Sequence, residues 1–189
     1  MIAVRRGWVR VVYEDQGEPF VMKAGDLVLQ PPEIRHRVLE SSPGLEVVEI
    51  TSPALHETFA DHEMRLPTDC LDRDRLFGGQ HFLRHIAKDT SWMPFRGGEA
   101  QVTRVREATG GLAEVRTIRA AGAAEITFPP HHGELVFGFV LEGSARLDYL
   151  GLHDLGPADA FVIPPAELWA LRKPSDDLRM LHVTTAGII

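Results

Sequence analysis

An internal repeat restricts the fold of this chain more than any other feature of its 189 residues. The sequence AGDLVLQPPEIRH at residues 24–36 aligns with PADAFVIPPAELW at residues 157–169, at an offset of 133. The corresponding pairs are Asp26 with Asp159, Pro31 with Pro164, Pro32 with Pro165 and His36 with Trp169. Self-similarity at a fixed spacing is typical of a duplicated structural unit.

The alignment extends to both sides of this motif. The offset of 133 also places residues 45–51 on residues 178–184, and an offset of 136 places residues 4–7 on residues 140–143. A three-residue difference in the hairpin region between these segments accounts for the change of offset. We therefore interpret the chain as two copies of one unit.

Both copies are predicted to be all-β. Short apolar and β-branched runs are separated by Gly, Pro, Asp and Ser, as in strands joined by turns. The runs are residues 9–13, 20–22, 27–30, 37–39 and 45–51 in the first copy, and 135–141, 144–149, 160–163, 169–171 and 178–184 in the second. A strand every eight to ten residues or so is typical of a barrel or sandwich.

The segment between the copies has a different pattern. In residues 72–88 the apolar side chains recur at roughly helical spacing, which predicts a helix that Gly78-Gly79 weakens at its centre. Residues 100–106 and 113–118 are predicted strands that begin the second copy. The expected organisation is a first copy without its opening strands at 1–53, a helical or irregular connector at 54–99 and a second copy at 100–189.

Charge and composition exclude several classes of protein. A formal net charge of −7 without any basic run argues against nucleic-acid binding. No apolar stretch reaches the roughly 18 residues of a membrane span, and the N-terminus is too charged for a secretory signal, so cytoplasm is the expected location. The single Cys70 excludes an intrachain disulfide and is expected to be structural or incidental.

The first copy of the motif, AGDLVLQPPEIRH, with its Gly-Asp turn, Pro-Pro pair and a histidine five residues after the first proline, resembles the second motif of the cupin superfamily. Residues 122–143, which contain His131-His132 and FVLEG, resemble the first motif. Together the two likenesses cover roughly two thirds of the chain. They imply a small two-cupin (bicupin) protein of tandem antiparallel β-barrels, RmlC-like and similar to a jelly roll. They also imply a metal, held in many members by two histidines and a carboxylate of the first motif and the histidine of the second.

In the second copy the resemblance implies that most of these ligands are replaced. Anchoring the first motif on Gly143 places its carboxylate position at Val136 and its histidine positions at Pro130 and His132, or one residue earlier. The histidine position of the second motif is Trp169. A standard metal centre is therefore not expected in this copy, and Trp169 could instead line a pocket and stack on a flat ligand.

Part of a site is still expected at the start of the strand at 135–141. His131, His132 and Glu134 are candidate ligands for Zn, Fe, Mn or Ni, and His182 could join them from the last strand. In an extended strand, however, His132 and Glu134 share a face that His131 does not, so three ligands would need a bulge or a turn. The alternative is that these are ordinary polar residues.

In the first copy, His36 keeps the second-motif position, whereas the first-motif positions would precede Met1. His36, with Arg35 and Glu49 near it, could bind a small carboxylate or phosphate by charge-assisted hydrogen bonds. An open sheet edge must then be covered by the middle segment, by a second subunit or by residues upstream of Met1. Apolar residues on both faces of 135–141 favour a homodimer or close packing of the two barrels.

Three hypotheses about function follow. The leading one is a cupin-like protein that binds a small organic ligand in at least one barrel without a standard metal centre. The second is a metal-dependent cupin enzyme of the dioxygenase or isomerase kind, and the third is a structural dimer without activity. The pocket lining determines the substrate and the fold does not, so no substrate is named.

Overall fold

A computed structural model describes residues 1–53 and 55–186, whose backbone forms nineteen β-strands, one four-residue α-helix and one 3-10 turn. The chain divides into two compact units, Met1–Asp89 and Thr90–Ile189. The segment expected to be a connector, residues 54–99, is thus shared between the two units. Every strand pairing is antiparallel, and the all-β prediction is confirmed.

Unit 1 consists of short strands that bury one apolar core. These are β1 (Ile2–Arg6), β2 (Trp8–Tyr13), β3 (Phe20–Lys23), β4 (Leu27–Leu29), β5 (His36–Ser41), β6 (Glu46–Glu49), β7 (Leu76–Phe77), β8 (Gln80–His81) and β9 (Leu83–His85). They form sheets in the orders β6-β1-β4-β9 and β3-β2-β5, with β7-β8 as a small hairpin. Val4, Val11, Met22 and Val28 are among the side chains of the core.

Unit 2 contains two larger sheets. Its elements are β10 (Met93–Phe95), β11 (Gly98–Val102), α1 (Val105–Ala108), β12 (Ala113–Arg119), β13 (Glu125–Phe128), β14 (Leu135–Glu142), β15 (Ala145–Asp148), β16 (Leu152–Leu155), β17 (Ala160–Ile163), β18 (Trp169–Arg172) and β19 (Arg179–Thr185). The sheet orders are β10-β11-β12-β19-β14-β17 and β13-β18-β15-β16. Side chains of both sheets, such as Val140 and Leu171, share one buried core.

The strand pairing of unit 1 recurs in unit 2. β1 pairs with β4 and β6, and at the corresponding place β14 pairs with β17 and β19. β2 pairs with β3 and β5, and β15 likewise pairs with β16 and β18. The segments that align in sequence therefore also hold the same positions in their sheets.

Turn hydrogen bonds recur at the same offsets as the sequence. In each unit a serine hydroxyl accepts from the backbone beside a left-handed glycine, and an aspartate accepts from the backbone three residues before it. The equivalent bonds are Trp8 N–H to Ser42 Oγ (3.0 Å) with Ser144 N–H to Ser175 Oγ (2.8 Å), and Lys23 N–H to Asp26 Oδ2 (2.9 Å) with Gly156 N–H to Asp159 Oδ2 (2.7 Å). The repeated Asp therefore has a structural role at a turn.

Four strands of unit 2, β10 to β13, have no counterpart in the described part of unit 1. β12 pairs with β19 and β13 pairs with β18, whereas the equivalent strands β6 and β5 have no described strand on that side. All six residues of β5 are exposed. Val38 is 60 % exposed, while the equivalent Leu171 in β18 is 0 % exposed. The neighbouring strand, more than the residue type, thus decides burial at this position.

The helix predicted for residues 72–88 is wrong. Gly78 and Gly79 both have positive φ, 54° and 80°, and they reverse the chain between β7 and β8. β9 then pairs with β4, and a 3-10 turn follows at Ala87–Asp89. Phe77 and Phe82, on the two sides of this turn, both pack on the core of unit 1. The apolar residues whose spacing resembles one face of a helix therefore belong to a hairpin. In the described residues no helix has the length and apolarity to cross a membrane.

Candidate functional site

Unit 2 contains a cavity of about 200 Å³, here called the unit 2 cavity, at one end of its sheets. Residues from six strands and two loops converge on it. It is lined by Phe95, Arg96, Glu114, Arg116, Phe128, Pro129, His131, Val136, Trp169, His182 and Thr184. This set combines aromatic rings, two guanidinium groups, two imidazoles and one carboxylate.

Strand register explains why so many polar groups meet here. β19 lies between β12 and β14, with His182 opposite Arg116 and Thr184 opposite both Glu114 and Val136. Residues directly opposite one another across antiparallel strands project from the same face. Alternation along three adjacent strands therefore brings these five side chains to one wall of the cavity.

The four ligand positions that the cupin resemblance implied also meet at this cavity, if the two histidine positions of the first motif are taken one residue before Pro130 and His132. They are occupied by Pro129, His131, Val136 and Trp169. Only His131 can ligate a metal, so these residues do not fit the family's set of three histidines and one carboxylate. Among residues 1–53 and 55–186, no group of three or more His, Cys, Asp or Glu side chains is placed to hold a metal ion.

Aromatic rings stack along one side of the cavity. The ring centres of Phe128 and Trp169 lie 3.7 Å apart with nearly parallel planes, and His182 lies 5.3 Å from Phe128 at an interplanar angle of 17°. Phe161 contacts Trp169 edge-on at 5.4 Å. Gly138 makes room for this ring, because a Cβ atom there would overlap Phe161. The wall is thus a packed, rigid aromatic surface.

The imidazoles of His131 and His182 both border the cavity. Burial, followed by the charges of Arg116 and Arg96 and the nearby His131, lowers the pKa of His182 to about 3. His131 Nε2 donates to the Ile163 carbonyl at 3.2 Å. The Nδ1 atoms of both histidines are buried and have no hydrogen-bond partner in the described part of the chain. Such unsatisfied groups are typical of a site that a ligand completes.

The low pKa of His182 predicts a specific acid sensitivity. Above about pH 6.5 the histidine is neutral in both the folded and the unfolded chain; below it only the unfolded chain binds the proton. The free energy of unfolding should therefore fall by up to about 1.4 kcal/mol per pH unit between pH 6.5 and pH 3 on account of this group. Urea unfolding at pH 7, 6 and 5 measures it.

His182→Gln is the comparison for this measurement, because other acid-sensitive groups are unchanged in it. The difference in unfolding free energy between the wild-type protein and the variant should shrink steadily as the pH falls from 6.5 to 5. Parallel profiles for the two proteins over that interval would show that His182 takes up a proton in the folded protein as readily as in the unfolded one.

The other residues of the predicted metal set lie outside the cavity. His132 and Glu134 are exposed, and the Glu134 backbone N–H donates to Thr185 at 3.1 Å where β14 begins. His131 and His132 point in opposite directions, as alternation along the chain predicts, but His131 and not His132 borders the cavity with His182. The structure therefore brings together His131 and His182 and separates His132 and Glu134 from them.

The predicted ligand-binding residues do not form one group. Arg35 already contacts two carboxylates, Asp61 at 2.7 Å and the buried Glu14 at 3.4 Å. His36 is exposed and stacks on Tyr13 with ring centres 5.4 Å apart, and Glu49 is exposed at the end of β6. Trp169 belongs to unit 2. Arg35 is thus already paired with carboxylates of the chain itself.

Sequence reasoning missed Phe95, Arg96, Arg116 and Phe128. A signal for Arg116 was present, since Glu114 and Arg116 alternate with Val115 in a strand predicted to begin the second barrel. Residues at alternate positions of a strand share one face, so Glu114 and Arg116 are expected to project side by side. Arg96-Gly97 is a turn pattern, but the sequence does not show which cavity the turn borders.

Unit 1 has a wider and more open depression of about 860 Å³. It is bordered by residues 16–20, 68–71 and 82–84, and the exposed Cys70 lies on it. Arg73 and Arg84 both line it, and Arg84 is engaged, 4.0 Å from the ring centre of Phe20 and donating to the Val21 carbonyl at 3.2 Å. The unit 2 cavity is the smaller and more enclosed of the two.

No protein-family model matches the chain, and no curated protein matches it either. Solved structures are similar over its whole length. Protein Ylba from E. coli has a TM-score of 0.66 at 10 % identity, and a putative glyoxylate-induced protein from Pseudomonas aeruginosa has 0.66 at 12 %. A mutant of the oxalate decarboxylase from Bacillus subtilis has 0.63 at 11 %.

Each alignment covers 100 % of this chain but 67 %, 66 % and 63 % of these three proteins, respectively, so the chain spans about two thirds of their length. At such low identity the likeness concerns the fold. It agrees with the antiparallel sheets, the recurring strand pairing and the repeated Asp and Pro-Pro positions. The chain has the fold of the cupin superfamily.

Proposed function

We propose that the protein is a bicupin whose unit 2 cavity binds a small planar organic molecule, without a standard metal centre. The observation that carries this proposal is the identity of the residues at the four converging family positions, Pro129, His131, Val136 and Trp169. Replacing metal ligands by apolar side chains leaves a cavity that favours an organic ligand.

Size and shape limit the ligand. A dry apolar cavity of about 150 Å³ is enough to hold benzene, so about 200 Å³ accommodates one ring with a small substituent. The stacked rings of Phe128 and Trp169 favour a planar molecule. The unpartnered Nδ1 atoms of His131 and His182 offer hydrogen bonds that fix its orientation.

Titration calorimetry with benzamide and benzoate tests the proposal. At least one of these single-ring probes should bind with a dissociation constant on the order of 1 mM or tighter. The two-ring probe 2-naphthamide should not bind, because it exceeds the cavity. Thr184→Phe, which fills the cavity from β19, should abolish binding, whereas Thr127→Phe, at an exposed position of β13, should not.

Metal analysis separates this function from a metal-dependent cupin enzyme. Protein purified without an affinity tag should contain metal only in substoichiometric amounts. Near-stoichiometric Zn, Fe, Mn or Ni that is lost in His131→Ala would overturn the proposal in favour of the enzyme. Failure of every single-ring probe to bind would instead favour a structural protein.

A further inference from the structure

Arg96 occupies a position where an arginine is unusual. β10 and β11 are joined by the two-residue turn Arg96-Gly97, closed by the pair Phe95 and Gly98. Both turn residues have positive φ, 52° and 93°. This turn type favours Asn-Gly or Gly-Gly, and an L-residue with a long side chain is strained in it. Strain of this kind tends to be kept where a side chain has a functional task.

The side chain of Arg96 is directed to the unit 2 cavity. Its guanidinium carbon lies 5.2 Å from the ring centre of Phe95 and 5.8 Å from that of Phe128. In residues 1–53 and 55–186 no carboxylate forms a salt bridge with Arg96. Burial and the nearby Arg116 lower its pKa, which means that its charge is not compensated by its surroundings.

Arg116 adds a second positive charge to the same cavity. Its Nη2 atom lies 2.5 Å from Glu114 Oε1, and its guanidinium carbon lies 5.1 Å from the Phe95 ring centre. Two guanidinium groups and one carboxylate leave one positive charge in excess, in a chain whose formal net charge is −7. The Nδ1 atoms of His182 and His131, which have no hydrogen-bond partner in the described part of the chain, border the same cavity.

From this arrangement we infer that the ligand of the unit 2 cavity is an organic monoanion, a small planar carboxylate whose charge is paired with Arg96. The inference rests on the proposed function, and it names the chemical class of the ligand. A guanidinium group matches the two oxygens of a carboxylate, and the bond is strong where water is partly excluded. The ring or planar chain of the ligand then lies on the aromatic wall formed by Phe128 and Trp169.

Calorimetry with benzoate and its neutral isostere benzamide tests the charge directly. In the wild-type protein, benzoate should bind at least about tenfold more tightly than benzamide, and only benzoate should lose affinity when the salt concentration is raised. Arg96→Asn should remove this preference. Arg104→Met, at an exposed position beyond the cavity, is the matched control and should leave both affinities unchanged.

Two further measurements distinguish an anion-binding role from a structural one. Asparagine suits the left-handed turn, so Arg96→Asn should have a melting temperature equal to or above that of the wild type while benzoate affinity falls. Glu114→Gln removes the carboxylate that competes for Arg116, so it should strengthen benzoate binding severalfold and raise the ratio of benzoate to benzamide affinity.

The outcomes separate this inference from the proposed function. Equal binding of benzamide and benzoate, or an unchanged preference in Arg96→Asn, would overturn the carboxylate assignment and leave a neutral planar ligand. Binding of neither probe would overturn both the assignment and the proposed function.

Discussion

Trp169→Ala is expected to lower the free energy of unfolding by about 3 to 5 kcal/mol, the range for deleting a large buried aromatic side chain. Trp169 is only 2 % exposed and packs between Phe128, at 3.7 Å, and the edge of Phe161, at 5.4 Å. Its removal leaves a void that the strands of two sheets cannot close. Urea unfolding followed by circular dichroism and by the fluorescence of Trp92, another residue of unit 2, measures the loss.

The repeat supplies the control for this experiment. His36 is the residue of unit 1 at the equivalent position, and it is exposed on a strand whose six residues are all exposed. His36→Ala should therefore change the unfolding free energy by less than about 0.5 kcal/mol. Comparable losses for the two variants would show that β5 is covered in solution as β18 is, for example by a second subunit.

Gly143→Ala is expected to be the second strongly destabilising change, by about 2 to 5 kcal/mol. Gly143 has a φ of +74°, and a Cβ atom there would lie 2.5 Å from Ser175 Oγ and 2.7 Å from the Cα and N atoms of Leu178. Ser175 can rotate, but the backbone of the fully buried Leu178 cannot move without shifting β19. Thermal unfolding of the variant measures the effect.

Two other glycines separate the causes of this loss. At Gly7, the equivalent position in unit 1, the φ is +78° but the nearest backbone atom, Leu45 Cα, is 3.2 Å from the added Cβ, so Gly7→Ala should cost less. Gly110 has a φ of +62° and open space around it, so Gly110→Ala should show the conformational cost alone, about 1 to 2 kcal/mol. Equal losses at all three positions would mean that close contact contributes nothing.

The strands with clear alternation were predictable from sequence, and the irregular middle was not. Residues 160–163 were predicted as a strand and form β17 with the same bounds. The segment 72–88 was assigned to a helix because its apolar spacing fits both a helix and a hairpin. Only the pairing of β9 with β4 and the left-handed Gly78-Gly79 turn resolve that ambiguity.

About half of the candidate site could be predicted. Val136, Trp169, His131 and His182 followed from motif spacing and from alignment of the two copies, because fixed offsets between turn and strand carry over from one repeat to the next. Arg96, Arg116 and Phe128 come from three other elements, and nothing in their local sequence says that these elements border one cavity. Their convergence depends on pairings between strands that are distant in the chain.

By itself, the sequence determined the duplicated unit, the strands of each copy and the replacement of metal ligands in the second copy. These properties depend on local spacing, on turn residues and on the period-2 alternation of strands. Only the tertiary structure decided which equivalent residues are buried. His36 and Trp169 hold the same place in the repeat, but β18 has β13 beside it and β5 has no described strand there. Burial requires a neighbour, and long-range strand pairing supplies the neighbour.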